Sequence, residues 1–158
     1  MEIVIRKIEL DDLTALLRLM REFAEFEHLE AYLEVTEERL AAAMFGEGAF
    51  VSGLLLEIDG SAAGYALFYP YFASFRGQRG IYLEDIYLAQ ACRGRGLGSA
   101  MLKEIARKAR NGGFERIDFQ VLNWNTPAIE FYKKLGAECD DSERHFKFAG
   151  DAFDSLAD

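Results

Sequence analysis

The run Leu83-Glu84-Asp85-Ile86-Tyr87-Leu88, followed at once by Arg93-Gly94-Arg95-Gly96-Leu97-Gly98 and then by an amphipathic stretch, constrains this chain more than any other feature. It spells a strand that feeds a glycine-rich turn and opens a helix. N–H groups at such a turn point out of the helix N-terminus, and missing side chains let an anion approach the main chain, so the pattern predicts a phosphate cradle. The spacing narrows the ligand. A Walker loop needs Lys followed by Ser or Thr after its last glycine, whereas Gly98 is followed by Ser99 and Ala100. A G-x-G-x-x-G dinucleotide loop would need glycine at position 99, and it would open a βαβ unit near the start of the chain.

Hairpin strands precede a strand–helix–strand unit in the remaining sequence. Ile3, Ile5 and Ile8 suggest a first strand, and Asp11 or Asp12 can cap a helix whose Leu13, Leu16, Leu17 and Met20 recur at helical spacing. Thr36 begins a second helix, with Glu37 and Glu38 placed against its dipole. Strands at 50–58 and 62–71 flank the hairpin signal Asp59-Gly60, and a third at 80–88 leads into the glycine loop. The helix after the loop puts Leu97, Met101, Ile105 and Ala109 on one face and stops near Gly112-Gly113; a strand at 116–122 follows. Thr126 as cap, Pro127 in the first turn and Gly136 as stop define another helix, before two short strands expected at 137–139 and 144–148. The expected class is mixed α/β (α+β), a mostly antiparallel central sheet with helices on both faces.

At 158 residues and 51% hydrophobic content the chain suits a single domain spanning 1–158. There is no apolar span long enough for a membrane, and Met1-Glu2-Ile3 leads into a strand pattern instead of a signal peptide, so a cytoplasmic protein without membrane association is expected. Cys92 and Cys139 lack any C-x-x-C spacing, and His28 and His145 lie apart, so no metal site or disulfide is expected. The formal net charge is −9, so an anionic ligand needs a local positive site, and Arg93 and Arg95 supply it. Two arginines in an acidic protein do not make a nucleic-acid face.

The loop also reads as R-x-x-G-x-G, through Arg93, Gly96 and Gly98, and Asn125 to Ala137 reads as N-x-x-A-x-x-F-Y-x-x-x-G-A. Together these blocks resemble the GNAT superfamily of N-acetyltransferases. Gly64-Tyr65-Ala66-Leu67-Phe68-Tyr69 through Tyr82-Leu83-Glu84-Asp85, with Phe45-Gly46-Glu47 upstream, is similar to its diamine (spermidine/spermine) branch, which includes thialysine-acetylating relatives. The resemblance implies a splayed strand pair holding acyl-CoA, with acetyl-CoA as donor and a small-molecule amine as acceptor. Backbone groups of Ile86 and Leu88 would pair with the pantetheine arm, and amides of Arg93, Gly94, Arg95, Gly96, Leu97, Gly98 and Ser99 would hold the pyrophosphate. Asn125 would bind the coenzyme arm, with helix capping as the competing role. Tyr132 matches the general acid that protonates the departing thiolate, and relatives of this branch imply a homodimer with acceptor pockets near the subunit interface.

An alkyl ammonium, with a pKa of roughly 10.4, must lose a proton before it attacks a thioester, so a carboxylate beside the reaction centre is required. Glu84 is the candidate base, and Asp85 a candidate contact for the substrate ammonium. An exposed strand or a bulge would account for the same two residues. Glu22, Glu25, Glu27, Glu30 and Glu34 crowd the end of the first helix; Glu27 and Glu30 are the ones whose context suggests an acceptor pocket. Tyr69, Tyr71, Phe72 and Phe75 could line a channel for an aliphatic chain. Phe75 stands near where the diamine enzymes carry Trp, and Ser142-Glu143-Arg144-His145 lacks another Trp common in the family's last hairpin; both departures bear on the acceptor, not on acetyl transfer. Peptide or other small amines, and a non-catalytic acyl-CoA sensor, remain alternatives.

Overall fold

The computed structural model describes residues 1–158, whose contacts fall into two compact units, 1–120 and 121–158. In the first, β1 (Ile3–Lys7), β2 (Ser52–Ile58), β3 (Ser61–Ala73), β4 (Gln78–Leu88) and β5 (Arg116–Asp118) form one sheet in sequence order. β1 to β4 are antiparallel neighbours, and β5 joins β4 in parallel after the crossover helix α3 (Leu97–Asn111). Asp59 and Gly60, both at positive φ, make the turn between β2 and β3, the backbone state that matches the twist of a tight hairpin.

Helices cover both faces. On one, α1 (Leu13–Phe26) and α2 (Glu37–Phe45) bury Leu13, Leu16, Leu17, Leu19 and Leu40 against Leu55, Tyr65, Leu67 and Tyr87. Thr36 caps α2 as expected, its hydroxyl accepting from the Arg39 amide at 3.2 Å. On the other face α3 buries the expected Leu97, Met101, Ile105 and Ala109 against Leu54, Leu56, Ala66, Ile81 and Leu83. At the start of α1, Arg6 grips Asp12 through two nitrogens at 2.7 and 2.9 Å and Glu57 at 2.6 Å. That guanidinium holds the Asp12 carboxyl below its usual range. No helix is long and apolar enough to cross a membrane.

In the second unit, α4 (Thr126–Lys134) and α5 (Asp151–Ala157) are the regular elements. The strands expected at 137–139 and 144–148 do not form, and the chain ends instead in the short helix α5. Phe146 and Phe148 are exposed, so these short segments have no apolar layer to pack on, and β propensity without packing is weak. β5 likewise stops at Asp118, four residues before the expected end at 122.

Candidate active site

β4 carries the chemistry because of where its pairing breaks. β5 accompanies it only from Gly80↔Arg116 to Tyr82↔Asp118, so the parallel pair parts beyond Tyr82. On its other edge Leu67 faces Asp85 while Phe68 faces Leu83, which leaves Glu84 as the extra residue of a β-bulge. A regular strand would send Glu84 and Asp85 to opposite faces, one of them into a core. The bulge turns both toward the α1 side, since Ile81 and Leu83 before it and Ile86 and Leu88 after it all pack in the α3-side cluster.

Tyr69 donates its hydroxyl to Glu84 Oε2 at 2.9 Å, and burial together with that carboxylate pushes the Tyr69 phenol up to about 12. Tyr65, fully buried, donates to Asp85 Oδ2 at 3.2 Å. Burial, reinforced by Glu84 and Glu27, pushes the Asp85 carboxyl up to about 6. Glu27, at the end of α1, is half-buried and raised by that burial. Glu27 and Asp85 both act on the Tyr65 phenol, so the structure brings Glu27, Glu84 and Asp85 into one electrostatic neighbourhood. Glu30 lies exposed on the short turn Glu30–Tyr32. Along the same face, Phe50 meets Tyr69 edge-on at 5.8 Å and Tyr69 stacks on Tyr82 at 5.5 Å; Phe72 and Phe75 stand out toward solvent near the hairpin tip. The buried Tyr71 hydroxyl has no hydrogen-bond partner.

The glycine loop has the backbone an anion site requires. Gly94 and Gly96 adopt φ of 76° and 74°, and a Cβ at either would meet nothing within 4 Å, so the main chain is open on that side. Gly96 caps α3, and the first helical bond runs from the Ala100 amide to the Gly96 carbonyl. The N–H groups of Leu97, Gly98 and Ser99 therefore precede the helical ladder. Arg95 reaches Met1 Sδ at 3.2 Å, whereas Arg93 Nε donates to the Leu88 carbonyl at 3.0 Å. The open amides at the helix start, Arg95 and a strand edge freed of its neighbour fit a phosphate-bearing donor, whereas the Arg93 guanidinium, expected beside the phosphates, is turned back onto Leu88, Phe26 and Tyr87. No group of three or more His, Cys, Asp or Glu side chains converges as a metal site.

Within the second unit, Asn125, not Thr126, is the N-cap of α4, its Oδ1 accepting from the Ala128 amide at 3.4 Å. Pro127 falls in the first turn, and Gly136, at φ 96°, closes the helix while Ala137 and Gly136 amides bond the Tyr132 and Lys133 carbonyls. Tyr132 is half-buried and meets Phe131 edge-on at 5.3 Å.

Tyr65, on β3, is a partner of the acid pair that no local pattern marks, whereas the bulge is written in the phase of the apolar residues: Ile81 and Leu83 alternate in one register, Ile86 and Leu88 in the other, so one extra residue must lie between them.

A mixed sheet whose parallel strands part beside a glycine-rich helix start defines an acyltransferase of the acyl-CoA-using kind. Residues 13–137 match the Acetyltransferase (GNAT) family, and the chain belongs to that family, whose acetyl donor is acetyl-CoA. It is 38% identical over 166 residues to a thialysine N-epsilon-acetyltransferase of Sus scrofa, covering 98% of this chain and 97% of that relative. It is 31% identical to a spermidine/spermine N(1)-acetyltransferase-like protein 1 of Homo sapiens, over 84% of this chain and 20% of that protein. Among solved structures, an integron cassette protein from the mobile metagenome of V. cholerae superposes with a TM-score of 0.79 at 22% identity, covering 99% and 98% of the two chains. This chain is an acetyltransferase.

Proposed function

We propose that this enzyme moves the acetyl group of acetyl-CoA to a primary amine of a small molecule: a diamine, a polyamine or a thialysine-like amino acid. The observation that carries the reading is the bulge at Glu84, which turns two adjacent carboxylates to one face just past the point where β4 loses β5. Two carboxylates and the nearby Glu27 suit a cation with more than one amine, and the Tyr69 and Tyr82 rings suit the methylenes between them. The full-length identity to thialysine N-epsilon-acetyltransferases supports this acceptor class. The family match crosses from the first unit into the second, which supports one catalytic domain over 1–158.

In this reading acetyl-CoA supplies an activated acetyl group, and the chain supplies position and protons. Main-chain groups of Ile86 and Leu88, the amides from Arg93 to Ser99, Arg95 and Asn125 hold the donor. Asp85 and Glu27 hold the acceptor's ammonium groups. Glu84 receives the proton that the attacking nitrogen gives up, directly or through a water, and Tyr132 donates its phenolic proton to the departing sulfur. The new C–N bond thus forms as the C–S bond breaks, leaving an amide and a free thiol. The enzyme works as a homodimer in the cytoplasm.

Thiol release from acetyl-CoA with a panel of diamines, polyamines, thialysine, monoamines and a peptide tests the substrate class. Turnover is expected to be best with acceptors bearing two amino groups. Equal turnover of monoamines, or peptide-only activity, would overturn it. Tyr132→Phe should lower kcat by roughly 10²–10⁴-fold with acetyl-CoA affinity little changed.

A further inference from the structure

Arg93 belongs to the glycine loop, yet its side chain runs back along the fold. Nε donates to the Leu88 carbonyl at 3.0 Å, and the guanidinium carbon lies 4.4 Å from the centre of the Phe26 ring and 5.6 Å from that of Tyr87. Tyr87 in turn stacks on Phe23 at 5.2 Å, and its hydroxyl makes a long 3.5 Å bond to Glu22. Phe23, Phe26 and Glu22 are all on the last turns of α1, and the residue after Phe26 is Glu27. One planar cation therefore touches both the end of β4 and the end of α1.

That end of α1 has a strained termination. The Leu29 amide bonds the Ala24 carbonyl and the His28 amide bonds that of Glu25, with His28 in the left-handed conformation at φ 59° where glycine is favoured. A helix end closed by an unfavoured residue gains most from being fixed by a contact from outside.

We propose that Arg93 is a positioning residue for the amine acceptor: its side chain clamps the end of α1, and Glu27 with it, to the carbonyl end of β4. The carboxylate that faces the amine and the loop amides that face the phosphates are thereby held by one residue. This rests on the acceptor reading given above for Glu27. The clamp needs a flat cation with a donor at Nε, so lysine is a poor substitute.

Arg93→Ala, Arg93→Lys and Phe26→Ala, with Arg95→Ala for contrast, test it in two ways. Amide hydrogen exchange at 27–29 in the free protein should speed up roughly tenfold in the first three and stay unchanged in Arg95→Ala. In steady state, the diamine KM of Arg93→Ala should rise about tenfold whether the donor is acetyl-CoA or S-acetylpantetheine, which has no pyrophosphate. A loss seen with acetyl-CoA and absent with S-acetylpantetheine would make Arg93 a phosphate ligand and overturn the proposal, as would unchanged exchange at 27–29. Should the wild type acetylate no amine, the acceptor reading fails by that result, and exchange alone decides the clamp: faster supports it, unchanged overturns it.

Discussion

On its α3 side β4 presents Ile81, Leu83, Ile86 and Leu88 to a wholly apolar layer, whereas on its α1 side it presents Tyr82, Glu84, Asp85 and Tyr87, with Asp85 in the electrostatic field of Glu27. The α3 side is a packing surface, closed by Met101 and Ile105 with no exposure at all. The α1 side combines a buried floor at Tyr65 and Leu67 with carboxylates held by tyrosine hydroxyls. One inserted residue separates these roles. Both faces bury apolar side chains, but only the second also carries carboxylates, and burial opposes the ionisation of Asp85 there.

The largest effect should come from putting a carboxylate on the wrong face. Leu83→Asp would bury an unpaired charge among Leu54, Met101 and Ile105, and is expected to cost more than about 4 kcal/mol, read by urea denaturation. A loss near 1 kcal/mol would mean that the α3 face is wetter than the contrast requires.

Asp85→Asn should act in the opposite direction. The Asp85 carboxyl titrates at about 6 in the fold against 3.8 when unperturbed, so its contribution to stability is fully present below 3.8 and is lost as pH rises through 6. Above that, the ionised group opposes folding by at most roughly 3 kcal/mol, at about 1.36 kcal/mol per pKa unit. The asparagine variant is therefore expected to be more stable than the wild type at pH 8, with the gain vanishing by pH 4, while diamine binding weakens. Wild-type diamine affinity should itself fall as pH drops through 6, and the variant should lack that fall. A variant less stable at pH 8 would show that the Tyr65 bond outweighs the burial of charge.

Deleting Glu84 removes the bulge and restores regular alternation, leaving Ile81 and Leu83, then Ile86 and Leu88, on the α3 face. The fold is expected to survive with a stability change near 1 kcal/mol by thermal melting, while acetyl transfer is lost. Unfolding would show that the bulge also serves the sheet's shape.

The legible parts of this chain were those set by local rules. Leu97, Met101, Ile105 and Ala109 could be placed by their spacing, Asp59-Gly60 by its turn chemistry and Thr36 by capping, and each lies where expected. Glu84 and Asp85 could be named, but not their shared face, which comes from a register shift against β3. The grip of Arg93 on Phe26 joins positions far apart in the chain, and no local pattern encodes it. The expected strands near Ala137 and Phe146 failed because alternation over so few residues specifies a strand only when a partner is packed beside it.

The central claim is that the bulge carboxylate takes the proton from the attacking amine. Single-turnover acetylation of a diamine, followed from pH 6 to 10 in the wild type and in Glu84→Gln, tests it directly. The wild-type rate is expected to rise from pH 7 towards pH 9, and Glu84→Gln should lower the plateau by roughly 10²-fold or shift the rise upward, with acetyl-CoA affinity unchanged. Superimposable profiles, with chemistry shown to limit the rate, would contradict it and leave Glu84 as no more than the residue that makes the bulge.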